Sequence, residues 1–288
     1  MGVGPTTGPT PITYSLSGKE KGMGKTISAD GTPIGYDQRG DGPPVVLVTG
    51  ALGDRDTLAP LANTLARHFT VFNYDRRGRG ESGDLVPYGV AREIEDLAAI
   101  ITEAGGSAAV YGHSSGAGLA LRAAASGLPI VRLVLHEAPY VTDDEDERRS
   151  ARDFAVRLHE LLGERRRGDA VALFMETTGT PPETVAQWRT ESWWPTLEAR
   201  AHTIAYDSAV MGDEKGGGVP TDLVASIRMP TLVLSGGDSF DFVHEVAHRI
   251  TELLPDGRHR VIEGQGHNVP AEVLAPVLTP FLDVQEPG

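Results

Sequence analysis

Residues 108–125, AAVYGHSSGAGLALRAAA, decide how the chain is read. Ala108 to Gly112 is apolar without alternation, the mark of a strand buried on both faces of a parallel sheet. Gly116 to Ala125 is a small-residue stretch suited to a closely packed helix. Between them stands Gly112-His113-Ser114-Ser115-Gly116, a G-x-S-x-G pattern in the strand-to-helix context that the pattern requires. A sharp turn there holds Ser114 in a strained backbone conformation, with its hydroxyl above the sheet edge. Gly112 and Gly116 remove side chains that would collide across the turn. Ser115 opens the helix, so its N–H is aimed at developing negative charge with the helix dipole behind it.

The same alternation extends on both sides. Lys25 to Tyr36 reads as two short strands about the turn Ala29-Asp30-Gly31-Thr32. Pro44 to Gly50 (PVVLVTG) is a second buried strand, and Leu58, Leu61 and Leu65 give helical spacing within Thr57–His68. Thr70–Asp75 is a strand, Ala91–Glu103 a helix with Ile94, Leu97, Ala98 and Ile101 on one face, and Ile130–His136 a strand. This rhythm predicts βαβ units and a mainly parallel sheet. From Thr142 to Ala225 only helical patterns occur. The rhythm resumes with a strand at Pro230–Ser235, a helix over Phe242–Leu254, a strand at Arg258–Glu263 and a last helix from Ala271 to Leu282. The reading is one α/β domain with a helical insertion: a flexible N-terminal tail over 1–25, a core over 26–141 and 226–288, and the insertion over 142–225.

A serine hydroxyl is a weak nucleophile and needs a base. His267, in Gly264-Gln265-Gly266-His267, follows the last strand and should sit at the carboxyl edge of the sheet. That base needs an acid to fix its tautomer and stabilise its imidazolium. Asp238, in Ser235-Gly236-Gly237-Asp238, follows the preceding strand and is the first choice; Glu137 and Asp241 are alternatives. The chain order Ser, Asp, His is the one found on α/β-hydrolase sheets.

On these motifs the chain resembles the α/β-hydrolase superfamily over about residues 26–284. Asp75-Arg76-Arg77-Gly78-Arg79-Gly80-Glu81-Ser82 is similar to that family's D-x-R-G-x-G-x-S turn, a structural loop. The resemblance implies an eight-stranded, mainly parallel sheet flanked by helices, with its second strand antiparallel and a helical cap after the sixth. It implies Ser114 as nucleophile, His267 as general base then acid, and Asp238 as orienting carboxylate. Glu137, after the sixth strand, occupies a position that some members use. Where the family commonly shows His-Gly after its third strand, this chain has Thr49-Gly50. The next residue, Ala51, maps onto the second oxyanion N–H beside that of Ser115, with Leu52 the alternative donor.

Other patterns carry bland readings. His244-Glu245-Val246-Ala247-His248 has the form of a zinc-protease helix, yet Phe242, Val243, Val246, Ile250 and Leu253 define that helix's buried side. Its place between two strands makes it a sheet-covering helix. Gly78-Arg79-Gly80-Glu81-Ser82-Gly83 lacks the helix that a dinucleotide fingerprint opens. Gly24-Lys25-Thr26 lacks the preceding strand and glycine of a phosphate loop. Met1-Gly2 with Thr6 fits a short acylation pattern, read here as part of the tail. Asp143 to Glu147 before Arg148-Arg149 reads as the solvated start of a helix.

Forty acidic against 26 basic side chains leave a formal charge of −14. That argues against a nucleic-acid partner, which needs clustered Lys and Arg. Cysteine is absent, which excludes thiol nucleophiles and disulfides. No apolar run suits a signal or membrane span, so the expected setting is cytoplasmic, with a small-molecule substrate, no membrane partner, and assembly as a homo-oligomer left open. No cofactor or metal is called for. Trp188, Trp193 and Trp194 fall in the insertion beside Phe174 and Met175. With Leu52 they are candidates to roof an apolar pocket over Ser114. The expected activity is serine-ester or lactone hydrolysis of a neutral, fairly apolar small molecule. Carbon–carbon bond hydrolysis, thioester cleavage, perhydrolysis, biosynthetic cyclisation and non-catalytic ligand binding are the alternatives.

Overall fold

A computed structural model describes residues 20–283. Eight strands form one sheet: β1 (Glu20–Ile27), β2 (Pro33–Arg39), β3 (Pro44–Val48), β4 (Thr70–Tyr74), β5 (Ala108–His113), β6 (Ile130–His136), β7 (Thr231–Gly236) and β8 (Gly257–Ile262). Their spatial order is β1-β2-β4-β3-β5-β6-β7-β8. β2 runs antiparallel to both of its neighbours, and every pair from β4 to β8 is parallel. The first strand begins at Glu20, inside the segment read from sequence as tail. The acylation pattern at Met1, Gly2 and Thr6 lies outside the described residues.

The period-2 direction of strand side chains splits the apolar residues between two faces. Val45 and Leu47 of β3 pack with Leu58, Leu61 and Leu65 of α1 (Arg55–Leu65) and with Leu274, Leu278 and Leu282 of α11 (Ala271–Leu282). Val46 and Val48 point the other way, onto α2 (Val90–Glu103), α3 (Ser115–Ala125) and α10 (Asp241–Leu253). Covering both faces is what allows the central strands to be continuously apolar.

Between β6 and β7 the chain runs through α4 (Glu145–Gly163), α5 (Arg167–Thr177), α6 (Pro182–Trp188), α7 (Trp194–Ala199), α8 (Thr203–Met211) and α9 (Thr221–Ser226). These helices gather a third apolar cluster that includes Leu158, Leu161, Val171, Val185, Trp194 and Ile204. Leu52, from the loop after β3, joins that cluster and ties it to the sheet edge. Among the described residues no helix is long and apolar enough to cross a membrane.

The parallel strands all deliver their carboxyl ends to one edge. The chain goes from β3 to β4 on one side and then to β5 on the other, so the order reverses beside β3. Crevices at such reversals, beyond the strand ends, are where open α/β sheets bind ligands. Ala51, Ser114, Glu137, Asp238 and His267 all follow strand ends at this edge.

Candidate active site

Ser114 is the turn residue between β5 and α3, with φ 56° and ψ −129°. For a residue with a Cβ this conformation stores on the order of 1–3 kcal/mol and persists only where the surroundings impose it. Its N–H donates to the His136 carbonyl (2.9 Å) and its carbonyl accepts from Ala117 (2.8 Å). The flanking glycines are sterically required. A Cβ at Gly112 would lie 2.6 Å from Ala117 Cα, and one at Gly116 would strike the Val48 and Thr49 carbonyl oxygens. Leu52 (φ 56°) and Glu137 (φ 51°) are also left-handed. Three of the four such non-glycine residues described thus flank one crevice.

His267 lies in the loop after β8, and its ring packs against that of His113, the residue before Ser114, at 4.6 Å between centroids. His113 Nε2 is 3.0 Å from the His267 carbonyl oxygen. A carbonyl only accepts, so this nitrogen carries the proton. Burial, with the neighbouring His267, pushes His113 down to about 4. Burial, with His113, holds His136 well below the ordinary range. His113 and His136 therefore stay neutral near neutral pH.

The carboxylate that meets His267 is Glu137. Its Oε2 lies 2.6 Å from His267 Nδ1. Its Oε1 accepts from the Gly236 N–H (2.6 Å) and from Ser239 Oγ (2.5 Å). Burial alone would raise this carboxyl, but hydrogen bonds from His267, Ser239 and Gly236 bring it down to about 2. The sequence points to Asp238 for this place, but the structure puts Glu137 there instead. The loop after β7 wraps around the Glu137 carboxylate through Gly236 and Ser239, which turns Asp238 outward. Asp238 is exposed, and its hydrogen bond runs from its backbone N–H to the Gln265 carbonyl (2.8 Å). Asp241 is likewise exposed, at the start of α10.

The loop after β3 abuts the serine: a Cβ at Gly50 would lie 2.8 Å from Ser114 Cβ. The Ala51 N–H donates to no acceptor among the described residues. Ser115 is the first residue of α3, so its N–H has no partner within the helix. Two N–H groups with no backbone partner thus stand on the loop after β3 and at the start of α3, the two segments that meet at Ser114.

A family model described as "Alpha/beta hydrolase family" matches residues 45–276. The chain belongs to the alpha/beta hydrolase family. A crystal structure of an alpha/beta hydrolase from Sphaerobacter thermophilus is 51% identical, covers 90% of this chain and 100% of that one, and superposes with a TM-score of 0.81. A 2-(acetamidomethylene)succinate hydrolase from Mesorhizobium japonicum is 27% identical over 85% of this chain and 90% of its own length. An uncharacterized hydrolase from Bacillus subtilis is 37% identical over 100 residues, which span 33% of this chain and 37% of that protein.

In this alpha/beta hydrolase the remaining predicted site residues other than Trp193 fall into one apolar cluster, with unequal exposure. Phe174, Met175 and Trp188 pack, partly buried, against the core of the insertion that Leu52 and Trp194 help to form. Trp194 is 2% exposed and donates through Nε1 to Glu198 (2.9 Å), so it fills the insertion's own interior. Trp193 is 42% exposed and meets both other indoles edge-on or tilted. The His244–His248 segment lies on α10, whose Val243, Val246, Ala247 and Ile250 are buried. His244 and His259 both approach Ser235 Oγ, at 3.3 and 2.9 Å. The D-x-R-G-x-G-x-S turn is internally bonded: Asp75 accepts from the Arg55 and Glu81 N–H groups (2.8 and 2.9 Å), and Ser82 Oγ donates to the Asp75 carbonyl (2.6 Å). What the sequence reading missed in this turn is that Arg76 and Arg79 are buried and directed at the active-site loops.

Proposed function

We propose that the protein is a serine hydrolase that works through an acyl-enzyme on Ser114. The observation that carries this reading is the pairing of His267 Nδ1 with the buried Glu137 carboxylate, at the sheet edge where Ser114 is held at φ 56°. Glu137 accepts a hydrogen bond from Nδ1–H, which keeps the proton on Nδ1 and leaves Nε2 of a neutral His267 able to take the Ser114 proton as the hydroxyl attacks an acyl carbon. The carbonyl oxygen gains charge and is received by the N–H groups of Ala51 and Ser115. Protonated His267, stabilised by Glu137, then gives its proton to the leaving group as the bond between that group and the acyl carbon breaks, which leaves the acyl-enzyme on Ser114. In the second half, water gives a proton to His267 as its oxygen attacks the acyl carbon; His267 returns that proton to Ser114 Oγ as the ester bond breaks, which releases the acid and restores the free serine.

The substrate class we favour is a neutral, fairly apolar ester or lactone. Leu52, Phe174, Met175 and Trp188 support it, because they gather apolar surface in the insertion and on the oxyanion loop. On this reading the helices between β6 and β7 act as a cap. The name of the Mesorhizobium relative favours one second class, an acylated amine, cleaved by the same steps. The deciding experiment is labelling with a fluorophosphonate probe, followed by turnover of p-nitrophenyl esters of graded chain length beside lactones and an acetamide. Labelling and turnover that vanish in Ser114→Ala support the reading; a Ser114→Ala protein that labels and turns over as before overturns it.

A further inference from the structure

The loop that follows β3 is suspended by its carbonyl groups from three arginines. Arg76 Nη1 donates to the Thr49 carbonyl (3.3 Å), Arg79 Nη1 to that of Gly50 (2.6 Å), and Arg200 Nη1 to that of Leu52 (2.8 Å). Arg76 and Arg79 come from the turn after β4, and Arg200 from the insertion just before α8. In a trans peptide the C=O and N–H point in opposite directions. A guanidinium gripping the Gly50 oxygen therefore turns the Ala51 N–H, which belongs to the same peptide, away from itself. It also polarises that peptide, which strengthens the N–H as a donor.

The same arginines are fixed from the far side by one carboxylate. Asp207, on α8, takes Arg79 Nη2 on both oxygens (2.9 and 2.8 Å) and Arg76 Nη1 on Oδ1 (2.7 Å). Its third partner is Ser115 Oγ, which donates to Oδ1 at 2.7 Å. Arg76 is further held by both oxygens of Glu93 (2.7 and 2.9 Å). All of these side chains are buried. Burial would raise the Asp207 carboxyl, but Arg79, Arg76 and Ser115 keep it below the ordinary aspartate range. Two arginines and two carboxylates cancel, so the cluster adds no net charge beside the reaction centre. Both candidate oxyanion donors, Ala51 through Gly50 and Ser115 through its own hydroxyl, are thus tied to one ion network whose keystone sits in the insertion.

We propose that Arg79 and Asp207 are positioning residues that assemble the oxyanion hole by holding the Gly50–Ala51 peptide and Ser115 in place beside Ser114. The inference rests on the serine-hydrolase reading above. A network that merely fastened the insertion to the core would change stability and substrate binding. One that aligns the two donors changes the rate of the chemical step, because the oxyanion develops as the tetrahedral intermediate forms and is absent from the bound substrate.

The test uses the full chain, with p-nitrophenyl acetate as substrate and a fluorophosphonate as active-serine probe. Arg79→Met and Asp207→Asn should each lower kcat by roughly 10- to 100-fold, somewhat less than complete loss of a donor, with KM changed less than about twofold. Probe labelling should slow by the same factor, and Arg79→Lys should recover part of the rate because a cation still reaches Asp207. If Arg79→Met fails to fold, Asp207→Asn and Ser115→Ala decide by the same split between kcat and KM. Folded variants with unchanged kcat, or with a loss carried by KM alone, overturn the proposal while an active wild type leaves the hydrolase reading standing. A wild type that neither turns over the ester nor takes the probe overturns both.

Discussion

Glu137 Oε2 and His267 Nδ1 lie 2.6 Å apart although their strands, β6 and β8, are not neighbours in the sheet. The contact passes over the end of β7, and the loop leaving β7 closes around it through the Gly236 N–H and Ser239 Oγ. A carboxylate with three donors and little solvent stays ionised, so it holds its imidazole in one tautomer. Asp238, at the end of the intervening strand, is left facing water.

Glu137→Gln keeps the shape of this side chain and removes its charge. It should lower kcat by about 10²- to 10⁴-fold, since an amide cannot stabilise the imidazolium and can present an N–H to Nδ1. Asp238→Asn should retain activity within about twofold, in keeping with an exposed side chain that makes no hydrogen bond to the imidazole. Steady-state turnover of the best p-nitrophenyl ester distinguishes the two. Equal losses, or a larger loss in Asp238→Asn, would return the acid role to Asp238.

The low value of Glu137 has a consequence for acid stability. Its carboxyl is brought from 4.5 to about 2 on folding. The folded state thus prefers the ionised form, and the contribution is present above the unfolded value. It is lost as pH falls from about 4.5 towards 2. Melting temperatures recorded from pH 6 to pH 3 should fall more steeply for wild type than for Glu137→Gln. Parallel curves would show that this carboxylate is not linked to folding.

Asp213 shows the opposite sign. Burial, with Asp207's negative charge adding, pushes its carboxyl up from 3.8 to about 6. The folded state therefore binds this proton more tightly than the unfolded chain, and stability declines as pH rises from about 4 to 6. Asp213→Asn should stabilise the protein at pH 7–8 by on the order of 1–3 kcal/mol, with the gain fading towards pH 4. Chemical denaturation at the two pH values measures it, and a gain independent of pH would assign the effect to something other than ionisation.

Within the insertion, Trp194 and Trp193 are adjacent and differ in what they cover. Trp194 is 2% exposed inside the apolar cluster, while Trp193 is 42% exposed. Trp194→Ala should cost roughly 3–5 kcal/mol where that segment's unfolding is observed. Trp193→Ala should stay within about 1 kcal/mol. Comparable losses in the two variants, read from denaturant midpoints, would mean that the indoles share one environment.

The elements of the sheet were legible because their physical causes are local. Apolar runs such as Val45–Val48 and the spacing of Leu58, Leu61 and Leu65 state which face each segment buries. The Gly-flanked turn at Ser114 was legible for the same reason, since its glycines answer collisions within a few residues. Which carboxylate meets His267 was not. Glu137 and Asp238 both follow buried strands, and the choice rests on the Gly236 and Ser239 bonds that only the folded loop makes. The arginine network was hidden further still. Arg79 and Asp207 are 128 residues apart, and nothing in the helical pattern of the insertion marks Asp207 as buried.

Gly50 offers a direct probe of the contact between the oxyanion loop and the nucleophile. A Cβ there would lie 2.8 Å from Ser114 Cβ, 3.1 Å from the His113 carbonyl oxygen and 3.3 Å from Ser114 Oγ. The Ser114 backbone is already in a strained region and is bonded on both sides, so it cannot retreat. The loop must move instead, and with it the Ala51 N–H. Because Arg79 grips the Gly50 carbonyl, that movement also disturbs a 2.6 Å hydrogen bond. Gly50→Ala should therefore lower kcat by about 10²-fold or more through the displaced donor. Its cost in stability should be modest, on the order of 1–3 kcal/mol for overpacking. Measuring kcat beside the melting temperature separates the two effects. A variant that loses stability but keeps its kcat would show that the loop beside Gly50 plays no part in holding the oxyanion.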